Sequence, residues 1–101
     1  MTTTVIHYRD AGPWPWPDNY VYIGRAMPRY KLPESKWANP YRIGPDGTRL
    51  EVLAEYDTAL PEINGGRLLQ SVGELKGKVL VCWCKPNPCH GDLLAALADA
   101  A

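Results

Sequence analysis

Three short apolar blocks and three stretches with helical spacing organise this chain. Thr3 to Tyr8 (TTVIHY) is rich in β-branched residues and reads as a first strand suited to a sheet edge. Tyr20 to Gly24 (YVYIG) reads as a buried strand. Val79 to Cys84 (VLVCWC) is apolar on both faces, as a central strand with helices above and below requires. Thr48 with Glu51 three residues later has the form of a capping box. Leu53, Tyr56 and Leu60 then space an apolar stripe along a helix that Pro61 ends, with Glu51 and Glu55 toward water. Leu68, Leu69, Val72 and Leu75 predict a second, short helix that Gly77 closes. Leu93, Leu94 and Leu97 form the inward face of a closing helix, His90 to Ala100.

The segments between these elements are informative too. GPWPWPDN, Gly12 to Asn19, alternates proline with tryptophan and admits neither helix nor central strand, so it reads as a stiff surface loop. Arg25 to Pro45 carries further prolines at 28, 33 and 40 and has no helical period. A long irregular stretch in a small domain is usually functional or disordered, and Trp37, Asn39-Pro40 and Tyr41 argue for a packed loop. The order β, β, α, α, β, α predicts a small single α/β domain spanning residues 1–101. Its sheet should be short and mostly parallel, with about three helices and a long loop containing Pro and Trp. If YVYIG and VLVCWC are parallel neighbours, their carboxyl ends lie side by side, where open α/β sheets bind ligands. Arg25 and Cys84 then emerge on one edge, beneath the long loop.

Charge changes this picture only locally. The 11 basic and 11 acidic residues cancel, which removes the electrostatic footprint of a general nucleic-acid binder. Yet Arg25, Arg29, Lys31, Lys36 and Arg42 precede an acidic stretch of Asp46, Glu51, Glu55, Asp57 and Glu62. This sets an anion-binding loop against a plain pair of solvated surfaces. No apolar run approaches the ~18 residues of a membrane span, and MTTTVIHYRD lacks the apolar core of a secretory signal. A cytoplasmic protein without membrane partners is expected, and three closely spaced cysteines favour a reducing compartment over a disulfide framework.

Those cysteines carry the candidate chemistry. Cys82 and Cys84 share one face of their strand, and Cys89-His90 follows after the turn KPNP. C-x-C-x4-C-H therefore offers Cys82, Cys84, Cys89 and His90 as a zinc set, although the Cα atoms of Cys82 and Cys84 sit about 6.6 Å apart in an ideal strand and no C-x2-C knuckle is present. The second reading makes Cys89 a nucleophile at a helix N-cap, where the helix end favours the thiolate, with His90 as acid/base partner and Asp92 at N3. Free N–H groups beyond it, with Gly91 permitting close approach, would make an anion site. The plain alternative treats the cysteines as small hydrophobes, most readily for Cys82. Trp83 reads as core, and Trp14 and Trp16 as packing or as a clamp for a base or a Pro-rich partner.

Two elements together resemble one family. YVYIGRAMPRYKLPESKWANPYRIG is similar to the VGR…W-x-NP-[FY] element, and GKVLVCWCKPNPCHGDLLAAL to the GK-x-L-x-CWC…PCH-x-D-[VL]-L element, of the DUF4326 proteins, common in bacteriophages and bacteria. The likeness runs from about Ile6 to Leu97 and places Arg25, Trp37, Asn39, Pro40, Cys82, Trp83, Cys84, Cys89, His90 and Asp92 at shared positions. The resemblance implies a site more than an activity. Arg25 can grip phosphate or carboxylate, Asn39 can orient, and Trp37 or Tyr41 can stack, a set suited to a nucleotide-like or other small anionic ligand. The rival expectation is a zinc-clipped, non-enzymatic module that binds a host protein or nucleic acid through the Trp-Pro loop and basic segment.

Overall fold

The computed structural model describes residues 2–101. Three strands, β1 (Thr4–His7), β2 (Tyr20–Tyr22) and β3 (Val79–Cys82), form one sheet in the order β1-β3-β2. Both pairings are parallel, with Thr4 opposite Val79 on one side and Tyr20 opposite Val79 on the other. The expected adjacency of the second and third strands is therefore present, and β1 lies at an edge. β3 is shorter than the apolar run that encodes it, because the chain bends at Trp83.

Two α-helices stand where about three were expected: Arg49–Ala59 and His90–Ala100. The predicted helix over 68–75 is instead one α-helical turn, Arg67–Gln70, followed by a 3-10 turn, Val72–Leu75. Its apolar spacing holds, since Leu68, Val72 and Leu75 are all buried. Local chemistry breaks the backbone: Ser71 Oγ bonds back to the Arg67 carbonyl at 2.9 Å, and Gly73 and Gly77 resist helix. Upstream, Asn64, Gly65 and Gly66 all adopt positive φ, a conformation that stops the preceding helix from running on.

The main core cluster lies on one face of the sheet. Leu80 and Cys82 pack with Tyr56 and Leu60 of the first helix, Leu75, and Leu94 and Ala98 of the C-terminal helix in a single cluster. Val52, Tyr56 and Leu60 are the buried stripe, while Leu53 is only half-buried. The expectation of helices above and below β3 is thus corrected, since both helices serve the Leu80 face. The opposite face carries Ile6, Val81 and Tyr22 in register. There Tyr20 and Tyr22 border an aromatic groove shared with Tyr8, Trp14, Trp16 and Tyr30. Trp14 is 73% exposed, so the Trp-Pro loop is a surface loop as its sequence demands.

Among the described residues no helix is long and apolar enough to cross a membrane.

Candidate functional site

Parallel strands deliver their C-terminal residues to a common edge, and here a cavity of about 340 Å³ opens on it. The chain just past β2 contributes Gly24 and Arg25, and Cys82 at the end of β3 is joined by Trp83 and Cys84 beyond it. The long loop covers the cavity with Met27, Asn39, Tyr41 and Ile43, and the first turn of the helix Arg49–Ala59 closes it with Arg49, Val52 and Leu53. Pro88 and His90 complete the wall. At Gly24 a side-chain carbon would fall 2.7 Å from Cζ of the folded-back Tyr22, so a larger residue would push that ring aside.

Arg49 escaped the sequence reading, although a signal for it exists. It occupies the first position of a helix, where the positive end of the helix dipole disfavours a cation. Its Nη1 donates to the Pro88 carbonyl at 3.2 Å, bringing the guanidinium to the cysteine turn. Neither Arg25 nor Arg49 forms an ion pair among the described residues; the pairs present are Lys36–Glu74 and Lys85–Asp92. Of the basic loop, only Arg25 reaches the cavity, because Lys36 is held by Glu74 and lies over the Trp37 ring.

The three cysteines are free thiols. Cys89 Sγ accepts the Gly91 N–H at 3.3 Å and lies 3.7 Å from His90 Nδ1. His90 Nε2 sits 2.8 Å from the Ile23 carbonyl, which fixes it as the protonated nitrogen and leaves Nδ1 as an acceptor. Burial holds the His90 pKa below its ordinary value, so the ring is neutral. The thiols divide sharply. Hydrogen bonds to its two cysteine neighbours, together with burial, push Cys89 up, whereas Cys84 is lowered to about 6 by its bond from Cys89 and by the Arg49 and Arg25 charges. Cys82 is lowered to about 7, again chiefly through Cys89, but is inaccessible.

This geometry reassigns several expected roles. Cys89 is buried and lies outside the cavity lining, whereas Cys84 is half-buried and borders the cavity. Gly91 is a packing residue: a side-chain carbon there would fall 2.7 Å from Ile23 Cδ1 and 2.9 Å from Val5 Cγ1. The anion site expected at this helix start is closed, because Cys89 Sγ takes the Gly91 N–H and the Cys89 carbonyl takes that of Asp92. Asp92 caps the helix, accepting the Cys89 N–H at 3.1 Å and pairing with Lys85. Asn39 lines the cavity while its amide holds the loop together, donating to the Val52 carbonyl and accepting from Tyr41 N–H. Trp37 is 2% exposed and belongs to the core, where its carbonyl accepts the Tyr56 hydroxyl at 2.8 Å. The aromatic faces at the cavity are those of Tyr41 and Trp83.

Among the described residues no group of three or more His, Cys, Asp or Glu side chains is arranged to hold a metal ion.

Trp83, read from sequence as core, divides two sites. It lines the cavity, stacks on Tyr8 with ring centroids 4.4 Å apart, and approaches Tyr30 at 5.3 Å. Its indole N–H donates to Tyr22 Oη at 2.8 Å, and that hydroxyl donates to the Arg25 carbonyl at 2.6 Å.

The fold and site define a small α/β domain with a cavity at the carboxyl edge of a parallel sheet. The chain belongs to the family described as domain of unknown function DUF4326, which matches residues 6–100. It is similar to "Uncharacterized protein R718" of Acanthamoeba polyphaga mimivirus, 39% identical over 87 residues. That match covers 76% of this chain and 65% of the viral protein, so the chain spans slightly less than two thirds of its relative. No solved structure matches.

Proposed function

We propose that this domain binds a small anionic, nucleotide-like molecule in the cavity at the sheet edge. The observation that carries the reading is the pair Arg25 and Arg49, two guanidinium groups without carboxylate partners bordering a mainly apolar cavity. A cation of this kind supplies forked donors to phosphate or carboxylate. Tyr41 and Trp83 add faces on which a base can stack, and a volume of about 340 Å³ suits a ligand of nucleotide size. Where chemistry follows binding, Cys84 is the group in reach, and Cys89 with His90 supports it from below. The competing reading, a zinc-clipped module for a host protein or nucleic acid, requires the cysteine cluster to open around a metal. It predicts stoichiometric zinc and unfolding by chelators.

Calorimetric titration with a panel of nucleoside mono-, di- and triphosphates tests the proposal. Arg25→Ala and Arg49→Ala should each weaken binding by about tenfold or more, the scale of a lost charge-assisted contact. Absence of binding across the panel, or wild-type affinity in both variants, refutes it.

A further inference from the structure

A second concave surface lies on the sheet face opposite the main core cluster and shares no lining residue with the arginine-lined cavity. It is a groove of about 510 Å³ with aromatic walls, and two of its rings are open to solvent, Trp14 at 73% and Tyr30 at 42% exposure. Pro13, Pro15 and Pro17 fix the backbone around Trp14 and Trp16, so these rings are held in place before any ligand arrives. Neighbouring rings meet at an angle: Trp14 on Trp16 at 67°, Tyr8 on Trp16 at 67°, Tyr8 on Tyr30 at 58° and Trp16 on Tyr20 at 47°. Tilted rings leave wedge-shaped clefts rather than parallel slots, which suit a puckered apolar ring better than a flat base. Along Tyr20, Trp16 and Trp14 the centroids step by 6.3 and 5.0 Å, close to two residues each of a polyproline II helix rising about 3.1 Å per residue.

The polar groups of the walls fit the same ligand. Trp16 N–H is taken by the Gly12 carbonyl at 3.2 Å, and Tyr22 Oη donates to the Arg25 carbonyl. Trp14 N–H and the hydroxyls of Tyr8, Tyr20 and Tyr30 have no protein acceptor among the described residues. A polyproline II chain has no internal hydrogen bonds, so its carbonyls are open to such donors. Charge complements it as well. Lys31 and Glu34 on the rim cancel, and neither is ion-paired among the described residues, so the groove matches an uncharged chain and lacks the phosphate grip of Arg25 and Arg49.

We propose that this groove binds a proline-rich peptide in the polyproline II conformation, with pyrrolidine rings seated between the tilted aromatic rings and peptide carbonyls accepting from Trp14 and the free tyrosine hydroxyls. Proline has no N–H to strand against aromatic walls. A stiff peptide docking on preset rings loses little conformational freedom, which is how aromatic grooves hold such segments. Trp14 is the anchor, because it is the most exposed ring of the groove and has the most apolar surface to cover.

Calorimetric titration of the full-length protein with end-blocked decaproline tests this, beside a Gly-Ser peptide of equal length and single-stranded oligothymidylate. Decaproline should bind saturably below about 1 mM, and tryptophan fluorescence should shift to the blue as Trp14 is covered. Trp14→Ala, at a surface ring outside the core, should weaken decaproline binding by about tenfold or more. No decaproline binding, equal binding of the Gly-Ser peptide, wild-type affinity in Trp14→Ala, or a Trp14-dependent preference for the oligonucleotide overturns the proposal. Self-association that Trp14→Ala abolishes, seen by sedimentation in a protein that ignores decaproline, overturns it too and assigns the groove to a second copy of the chain. The nucleotide titration reads the other cavity, so either result can fail alone.

Discussion

The two α-helices start with reciprocal capping boxes made of different atoms. At the first, Thr48 Oγ1 accepts the Glu51 N–H at 3.3 Å and Glu51 Oε1 accepts the Thr48 N–H at 2.9 Å, all at an exposed corner. At the second, Cys89 Sγ stands in the place of the hydroxyl and Asp92 in that of the glutamate, and the cap itself is buried. Sulfur is a weak acceptor, so cysteine is a poor choice for holding a helix end. Position for position, Arg49 faces His90, exposed Leu50 faces packed Gly91, and Glu51 faces Asp92. The first cap spends its side chains on the helix alone. The second gives up cap strength and sets a buried thiol 3.7 Å from the His90 ring, which is the kind of local rule-breaking that accompanies a site.

The sharpest way to break the comparison is at the second helical position. Gly91→Ala should destabilise by about 1–3 kcal/mol through overpacking against Ile23 and Val5, measured by chemical denaturation. The matching change Leu50→Ala, at a residue 70% exposed, should stay within about 0.5 kcal/mol. Equal effects would erase the distinction between the two caps.

Next in size is thiol reactivity. Cys84, lowered to about 6, should alkylate at neutral pH about tenfold faster than an ordinary thiol, with its rate rising as pH climbs through about 6 and levelling above. Cys89, pushed up, should remain unlabelled over the same range while the fold is intact. Mass-spectrometric labelling against pH checks both, and Arg49→Ala should move the Cys84 profile toward higher pH. At the exposed cap, Thr48→Ala should cost about 1 kcal/mol and leave Cys84 labelling unchanged.

The sequence made some of this visible. β-branched runs and the Thr48–Glu51 pair are local signals, and they announced β1, the first helix and its cap directly. The sheet edge was legible because two strands ending in Gly24-Arg25 and Cys84 need only be parallel neighbours to meet there. What escaped depends on the end of β3. The bend at Trp83 turns that ring away from the core and toward Tyr8, while Trp37, in a loop rich in proline, fills the interior instead. Burial of a single aromatic is decided by tertiary neighbours that periodicity does not encode. A helix-start position points to Cys89 as nucleophile, but Cys89 is buried while Cys84 borders the cavity that Arg25 and Arg49 share from distant elements.

The strand order has a consequence for synthesis. β1 and β2 touch only β3, which is made of residues 79–82, so neither early strand has a partner until most of the chain has been translated. The first helix and its capping box can form on the ribosome while the sheet waits for a strand still being made. Assembly must then close two long crossovers at once, a topology expected to fold slowly for its size. A fragment stopping before Val79 would leave two parallel edges unsatisfied and the cavity without its cysteine wall, open to capture by other chains.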